Sequence, residues 1–233
     1  MPDTYLASIS LRNVPLATSV GRIMPFAIQV AESVLMLIAF VFALMISYRA
    51  IKGYSITRNA NLALIGTGFI LIALYLLISS ISFLHLLPRP YPFERHFLYN
   101  AILEGLQFIA YFLIMIAYLV PPRAEVSATI LSLFLLTFLG FDFATVAVLA
   151  VTAISVYVWY RENETASTAL VLASFALLFL IHLLDLFLAV VPHLFIITLL
   201  YTTVFEVFSF ALLFMAMESY PSRNKPRGKQ SVA

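Results

Sequence analysis

The chain has 233 residues, 63% of them hydrophobic and only 10% charged, with a mean hydropathy of +1.04 and a formal net charge of +2. A soluble domain carries about 25% charged residues, so this composition excludes an ordinary soluble fold and describes a polytopic membrane protein with no room for a separate soluble domain. The small net charge gives no case for nucleic acid, and the absence of cysteine excludes disulfides, thiolate metal sites, CxxC redox chemistry and a thiol nucleophile.

Apolar runs mark the spans in chain order. The first 23 residues form an N-terminal segment without the basic-then-apolar pattern of a cleaved signal peptide. A first span runs from about Met24 to Ser47 and closes at Tyr48-Arg49, with a short basic loop holding Lys52, Gly53 and Arg58 expected after it. The second covers about Asn61 to Leu87 and is stopped by Pro88, Pro90 and Pro92. The third runs from about Phe97 to Val120 and is stopped by Pro121-Pro122. Val126 to Tyr160 is one apolar stretch of 35 residues. As a single helix it would measure ~52 Å, against ~30 Å of hydrocarbon. Gly140-Phe141-Asp142 is the natural break, giving a short fourth span over about 126–140 and a fifth that begins near 143. The sixth covers about Ser167 to Val191, and Pro192 separates it from the seventh, about Leu194 to Met217. Residues 218–233 form a basic tail with Arg223, Lys225, Arg227 and Lys229, read as a cytoplasmic flank. The expected fold is an all-α polytopic membrane protein with seven transmembrane helices over 24–217.

An internal repeat organises them. Leu98-Tyr99-Asn100, Glu104 and Gln107-Phe108 match Leu200-Tyr201-Thr202, Glu206 and Ser209-Phe210 at a constant offset of 102. Tyr48-Arg49 closes the first span as Tyr160-Arg161 closes the fifth, and Phe69 and Phe175 align the second with the sixth. Spans one to three (about 24–120) therefore read as one copy and spans five to seven (about 143–217) as the other, with the fourth as linker: a 3+1+3 parallel-repeat arrangement, which needs an odd linker helix. With the N-terminus outside and the C-terminus inside, nine of the 13 Lys and Arg residues fall on the cytoplasmic side, as expected for a multi-pass protein of the plasma membrane. A six-helix layout with the N-terminus inside gives the same split, so charge alone does not fix the count. Asn163-Glu164-Thr165 is a glycosylation sequon that falls on the inner side and is read as chance.

A carboxylate at membrane depth is expensive, which makes Glu104 and Glu206 the centre of the functional reading. Residues three or four apart share a helix face, so Asn100, Glu104, Gln107 and Tyr111 form one stripe in the third span. Thr202, Glu206 and Ser209 form its counterpart in the seventh, and Ser174, His182 and Asp185 share a face of the sixth. The histidines, Glu32, Glu104 and Asp185 gather in the outer half and Glu206 near the middle, so an outward-opening polar pocket lined by Glu104, Glu206, His182 and Asp185 is expected. Asn100, Gln107 and Ser209 can equally serve as interhelical hydrogen-bond groups. Glu32 lies near an outer helix start, where ordinary solvation would suffice.

Paired carboxylates beside a His and an Asp suit a small polar or cationic ligand, in a transporter or a receptor-like module. The alternative is a haem- or metal-binding membrane subunit of an electron-transfer complex, with His85, His182, His193 and Asp185 as candidate ligands. No HxxxH or HExxH spacing supports it, and no cofactor is required by the sequence. Ser80 or Ser82 with His85 is too common a grouping to argue for an enzyme. The expected partners are the lipid bilayer and the ligand, with a second copy or a membrane complex as further options. The 3+1+3 layout resembles that of microbial rhodopsins and of SWEET sugar transporters. The last span lacks the lysine that a retinal Schiff base needs, and no Pro-Gln pair of the SWEET type occurs, so the resemblance implies an architecture and not a function.

Overall fold

The computed structural model describes residues 26–85, 93–119, 140–188 and 195–219. They form six α-helices and no strand: α1 (Phe26–Thr57), α2 (Ala60–His85), α3 (Phe93–Leu119), α4 (Phe141–Asn163), α5 (Ala166–Leu188) and α6 (Phe195–Ser219). Each contains a stretch long and apolar enough to cross a bilayer, so the chain is an all-helical multi-pass membrane protein in contact with lipid. The short fourth span expected over 126–140 lies outside the described residues, apart from Gly140.

The first span is longer than its hydropathy suggests. Helix α1 continues ten residues past Ser47, through the stretch read as a basic loop, and ends only at Thr57. Hydropathy marks where the bilayer stops; nothing in Tyr48–Thr57 breaks a helix, because Gly53 alone costs only ~1 kcal/mol. Arg58 ends α1 in a left-handed conformation (φ 57°), its amide bonded to the Tyr54 carbonyl at 2.8 Å, and the Asn59 side chain then caps α2 by accepting from the Asn61 amide at 3.0 Å. The turn between α4 and α5 is built the same way. Glu164 is left-handed (φ 34°) and its amide bonds Tyr160 at 2.7 Å, while Thr165 caps α5 by accepting from the Thr168 amide at 3.2 Å. The expected break at Gly140 coincides with the start of α4, where glycine takes φ 131°.

The helices pack in a closed ring, each against its neighbour in sequence, with α6 returning to α1. Side-chain contacts fix their directions. α1 and α2 run antiparallel, tied by Ser33 and Ser80, each of whose hydroxyls donates to the other's carbonyl (3.5 and 3.0 Å), and by Ser47 to the Gly66 carbonyl at 2.9 Å. α5 and α6 are antiparallel through Ser174, which donates to the Ser209 carbonyl at 2.7 Å. α3 and α4 run parallel: Phe108, just past the middle of α3, meets Phe141 at the start of α4 (6.1 Å between ring centroids), and Tyr118 meets Trp159 near both ends (6.3 Å). α1 and α6 also run parallel, joined by Phe42 and Phe214 (6.2 Å) and, further along, by an ion pair between Arg49 and Glu218. The face where α1, α3, α4 and α6 begin is called upper below, and the opposite face lower.

The buried stripe of α1, namely Glu32, Met36, Ala39, Ala43, Ile46 and Ala50, follows the helical repeat and faces a core of Phe69, Tyr111, Phe175 and Phe210. Val34, Leu37, Val41 and Leu44 on its other side are exposed, as lipid-facing residues are. Lipid gives no hydrophobic drive to bring helices together, so small residues that permit close approach carry much of the packing. At Gly68 of α2, a Cβ would sit 2.9 Å from the Ala110 carbonyl of α3 and 2.7 Å from Ile114, whereas at Gly105 it would meet Phe141 at an ordinary 3.6 Å. Gly68→Ala is therefore expected to lower stability by about 1–3 kcal/mol through overpacking against a backbone that cannot yield. Gly105→Ala should be neutral or stabilising by up to ~1 kcal/mol through helix propensity. Thermal unfolding of the two variants in one detergent checks the contrast.

Candidate functional site

The polar residues of the upper half converge on a tyrosine that the sequence reading passed over. Tyr75 projects from α2 with Ser79, one helical turn on, beside its hydroxyl. Glu206 of α6, Asp185 of α5 and Glu104 of α3 all lie within electrostatic reach of that hydroxyl. Glu104 and Glu206 thus share a neighbour rather than a contact. Glu104, partly exposed, lies within electrostatic reach of Asp142 in the α4 first turn, and Glu206 within reach of Asp185. An acid in the first turn of α4 also suits the positive end of that helix.

Gln107 and His182 join α3 to α5 below this group. The His182 Nδ1–H donates to the Leu178 carbonyl at 3.0 Å, which leaves Nε2 to accept from the Gln107 amide at 2.9 Å. Both imidazole nitrogens are thereby committed. The spacing of His182 and Asp185 had suggested a pair on one face of α5; instead His182 turns to Gln107 and to the Tyr111 ring (5.5 Å, edge-on), and exposed Asp185 takes a hydrogen bond from Thr202. A shared face does not choose a partner when a neighbouring helix offers a better one. Among the described residues Arg49–Glu218, at the lower end, is the ion pair, and none lies in the cluster.

Two polar atoms of the cluster are buried without a hydrogen-bond partner: Glu206 Oε1 and the hydroxyl of Tyr111. Tyr111 is 1% exposed, within electrostatic reach of Glu206 and Tyr75, and the Gln107 amide, which gives one N–H to His182, has its second beside the Tyr111 hydroxyl. Such atoms are rare in native interiors and call for an explanation. Glu32 adds two more. It is wholly buried, with neither carboxyl oxygen bonded, so of the two readings open for its place near a helix start, ordinary solvation is not the one found.

The remaining candidates divide. Ser209 is buried and spends its hydroxyl on the Phe205 carbonyl (2.9 Å) while its own carbonyl holds Ser174, so it serves helix packing. Asn100 lies in α3, but its side chain is outside the described residues, as are the side chains of His85 and His96; His193 is outside them altogether. Among the described residues no three His, Cys, Asp or Glu side chains come close enough together to hold a metal ion, and His182 has no free nitrogen for one. A groove of about 330 Å³ lined by Leu44, Met45, Tyr48, Arg49 and Phe214 opens at the lower end between α1 and α6, far from the acids. Compared with known protein families, curated proteins and solved structures, the chain matches none.

Proposed function

We propose that the protein binds a small cation in a pocket between its helices that opens toward the outside of the cell, as a transporter or receptor-like module of the plasma membrane. The observation that carries this reading is the gathering of Glu104, Asp185 and Glu206, from three different helices, within electrostatic reach of Tyr75, with no Lys or Arg among them within the described residues. The Lys or Arg nearest in sequence to any of the three is Arg95, nine positions before Glu104. Uncompensated carboxylates at membrane depth are retained where they meet a substrate, ion or proton. Gln107, His182 and Thr202 frame the proposed pocket, and Asn100 belongs to it by sequence spacing alone, one turn before Glu104.

The proposed architecture is seven crossings in two copies of three helices. The parallel course of α3 and α4 supports it, because a chain leaving α3 at the lower face must return to the upper face before α4. The turns Arg58-Asn59 and Glu164-Thr165, alike in construction, stand at the same offset of 106 as Phe69 and Phe175, which supports the repeat. Arg49, Lys52, Arg58 and Arg161 at the lower face support placing that face in the cytoplasm.

Thermal-shift measurements on the purified protein at constant ionic strength, with small cations, zwitterions and anions, test the ligand class. Cations alone are expected to stabilise, and Glu206→Gln and Glu104→Gln should abolish the shift while leaving the yield of folded protein unchanged. Stabilisation by anions, or equal loss of folded protein in both variants, would refute the reading. Uptake into proteoliposomes then separates transport from reception.

A further inference from the structure

The geometry points to a binding site for one anionic phospholipid in the groove between α1 and α6 at the lower end of the bundle. This site stands apart from the acidic cluster and does not depend on it. The groove holds about 330 Å³ and is lined by Leu44, Met45, Tyr48, Arg49 and Phe214. Its two walls are layered alike. On α1, Leu44 and Met45 lie one turn above Tyr48 and Arg49, and Lys52 follows one turn below Tyr48. On α6, Phe214 lies one turn above Glu218. Arg49 and Glu218 pair between the helices. The apolar layers therefore face each other at one depth and the charged layers at the next, about 5.4 Å lower.

In a bilayer this layering matches a lipid, with the acyl chain against the apolar walls and the headgroup at the level of the charges. Leu44 and Met45 are exposed on a membrane-spanning helix, so lipid has open access to the groove. Tyr48, also exposed, stands where interfacial aromatic residues mark the headgroup level. The charges choose the headgroup. Lys52 Nζ lies 6.0 Å from the Tyr48 ring centre, which keeps an ammonium at the mouth of the groove. Arg49 has five N–H donors, and a carboxylate in a fork takes two of them; the rest remain for a phosphate. With Glu218 counted, the mouth is still left with one positive charge, and the next charged residues in the chain, Arg223, Lys225, Arg227 and Lys229, are all basic. A basic site between transmembrane helices at headgroup depth suits an anionic lipid. A phosphatidylcholine brings a quaternary ammonium with its phosphate, which Arg49 and Lys52 repel.

Native mass spectrometry of the full chain tests this, with phosphatidylglycerol and phosphatidylcholine of identical acyl chains supplied in equal amounts. One phosphatidylglycerol per chain is expected to be retained, at least about fivefold over phosphatidylcholine. Lys52→Gln should cut that ratio about fivefold, the worth of one cation near an anionic surface. Leu44→Trp fills the groove from an exposed position and should remove the bound lipid without changing the melting temperature. Arg161→Gln removes a lower-face charge on α4, which packs against α3 and α5, and should leave the ratio as in the wild type. Equal retention of the two lipids would overturn the site. So would an Arg161→Gln loss matching that of Lys52→Gln, which would mean diffuse surface charge. Displacement of the lipid by free glycerol phosphate would mean that the mouth takes phosphate alone and the groove holds no chain. A dimer that Leu44→Trp dissociates would give the groove to a second copy instead.

Discussion

Glu32→Met is expected to stabilise the folded protein by about 1–3 kcal/mol, seen as a higher melting temperature in detergent. The carboxyl is completely buried on the core-facing stripe of α1, and neither oxygen has a hydrogen-bond partner. Burying a polar group without a partner is a net cost, and a side chain of similar length without polar atoms removes it. Methionine adapts to irregular space, so the exchange should not open a large cavity against Met36 and the adjoining face of α2. Natural sequences keep such a group where function needs it. Glu32 is not among the acids gathered around Tyr75, so the variant separates two roles. A stabilised protein that still binds cations would make Glu32 a group outside the pocket. A destabilised one would mean that the carboxyl has a partner in solution and is part of the interior polar network.

How far the sequence carried the fold depends on which physical signal each feature obeys. Six spans were legible because twenty or so apolar residues in a row have few alternatives. The break at Gly140 was legible because an unusual backbone angle favours glycine. The lower end of α1 was not: hydropathy reports the bilayer edge, while the helix continued through Lys52 and Tyr54 to a left-handed Arg58. The stripes of α3 and α6 came from helical spacing, which places residues on a face and leaves their partners open. Gln107 with His182, in place of His182 with Asp185, is a choice made by which helices are neighbours. Tyr75 was missed because one tyrosine in an apolar span is unremarkable by composition; Ser79 one turn away was the only local hint.

Single cysteines at Ser55 and Glu162 are expected to react with a membrane-impermeant maleimide from the same side of sealed vesicles, the cytoplasmic one. The chain has no cysteine of its own, so each variant carries one thiol, and both positions are exposed. Ser55 lies near the end of α1 and Glu162 near the end of α4. Their placement on one face follows from the direction of α4. Antiparallel helices α1, α2 and α3 bring the chain to the lower face at Leu119, and α4, parallel to α3, starts at the upper face and ends at the lower. The proposed fourth span over about 126–140 is the segment that would return the chain to the upper face. The charged Arg123 and Glu125 precede it, so the segment can bear that passage. Labelling from opposite sides would mean an even number of crossings with α3 and α4 antiparallel. The two proposed copies would then be inverted with respect to each other, Glu104 and Glu206 would enter the membrane from opposite faces, and the proposed acidic pocket would be lost. All-or-none reactivity at two exposed sites thus decides the topology on which the pocket depends.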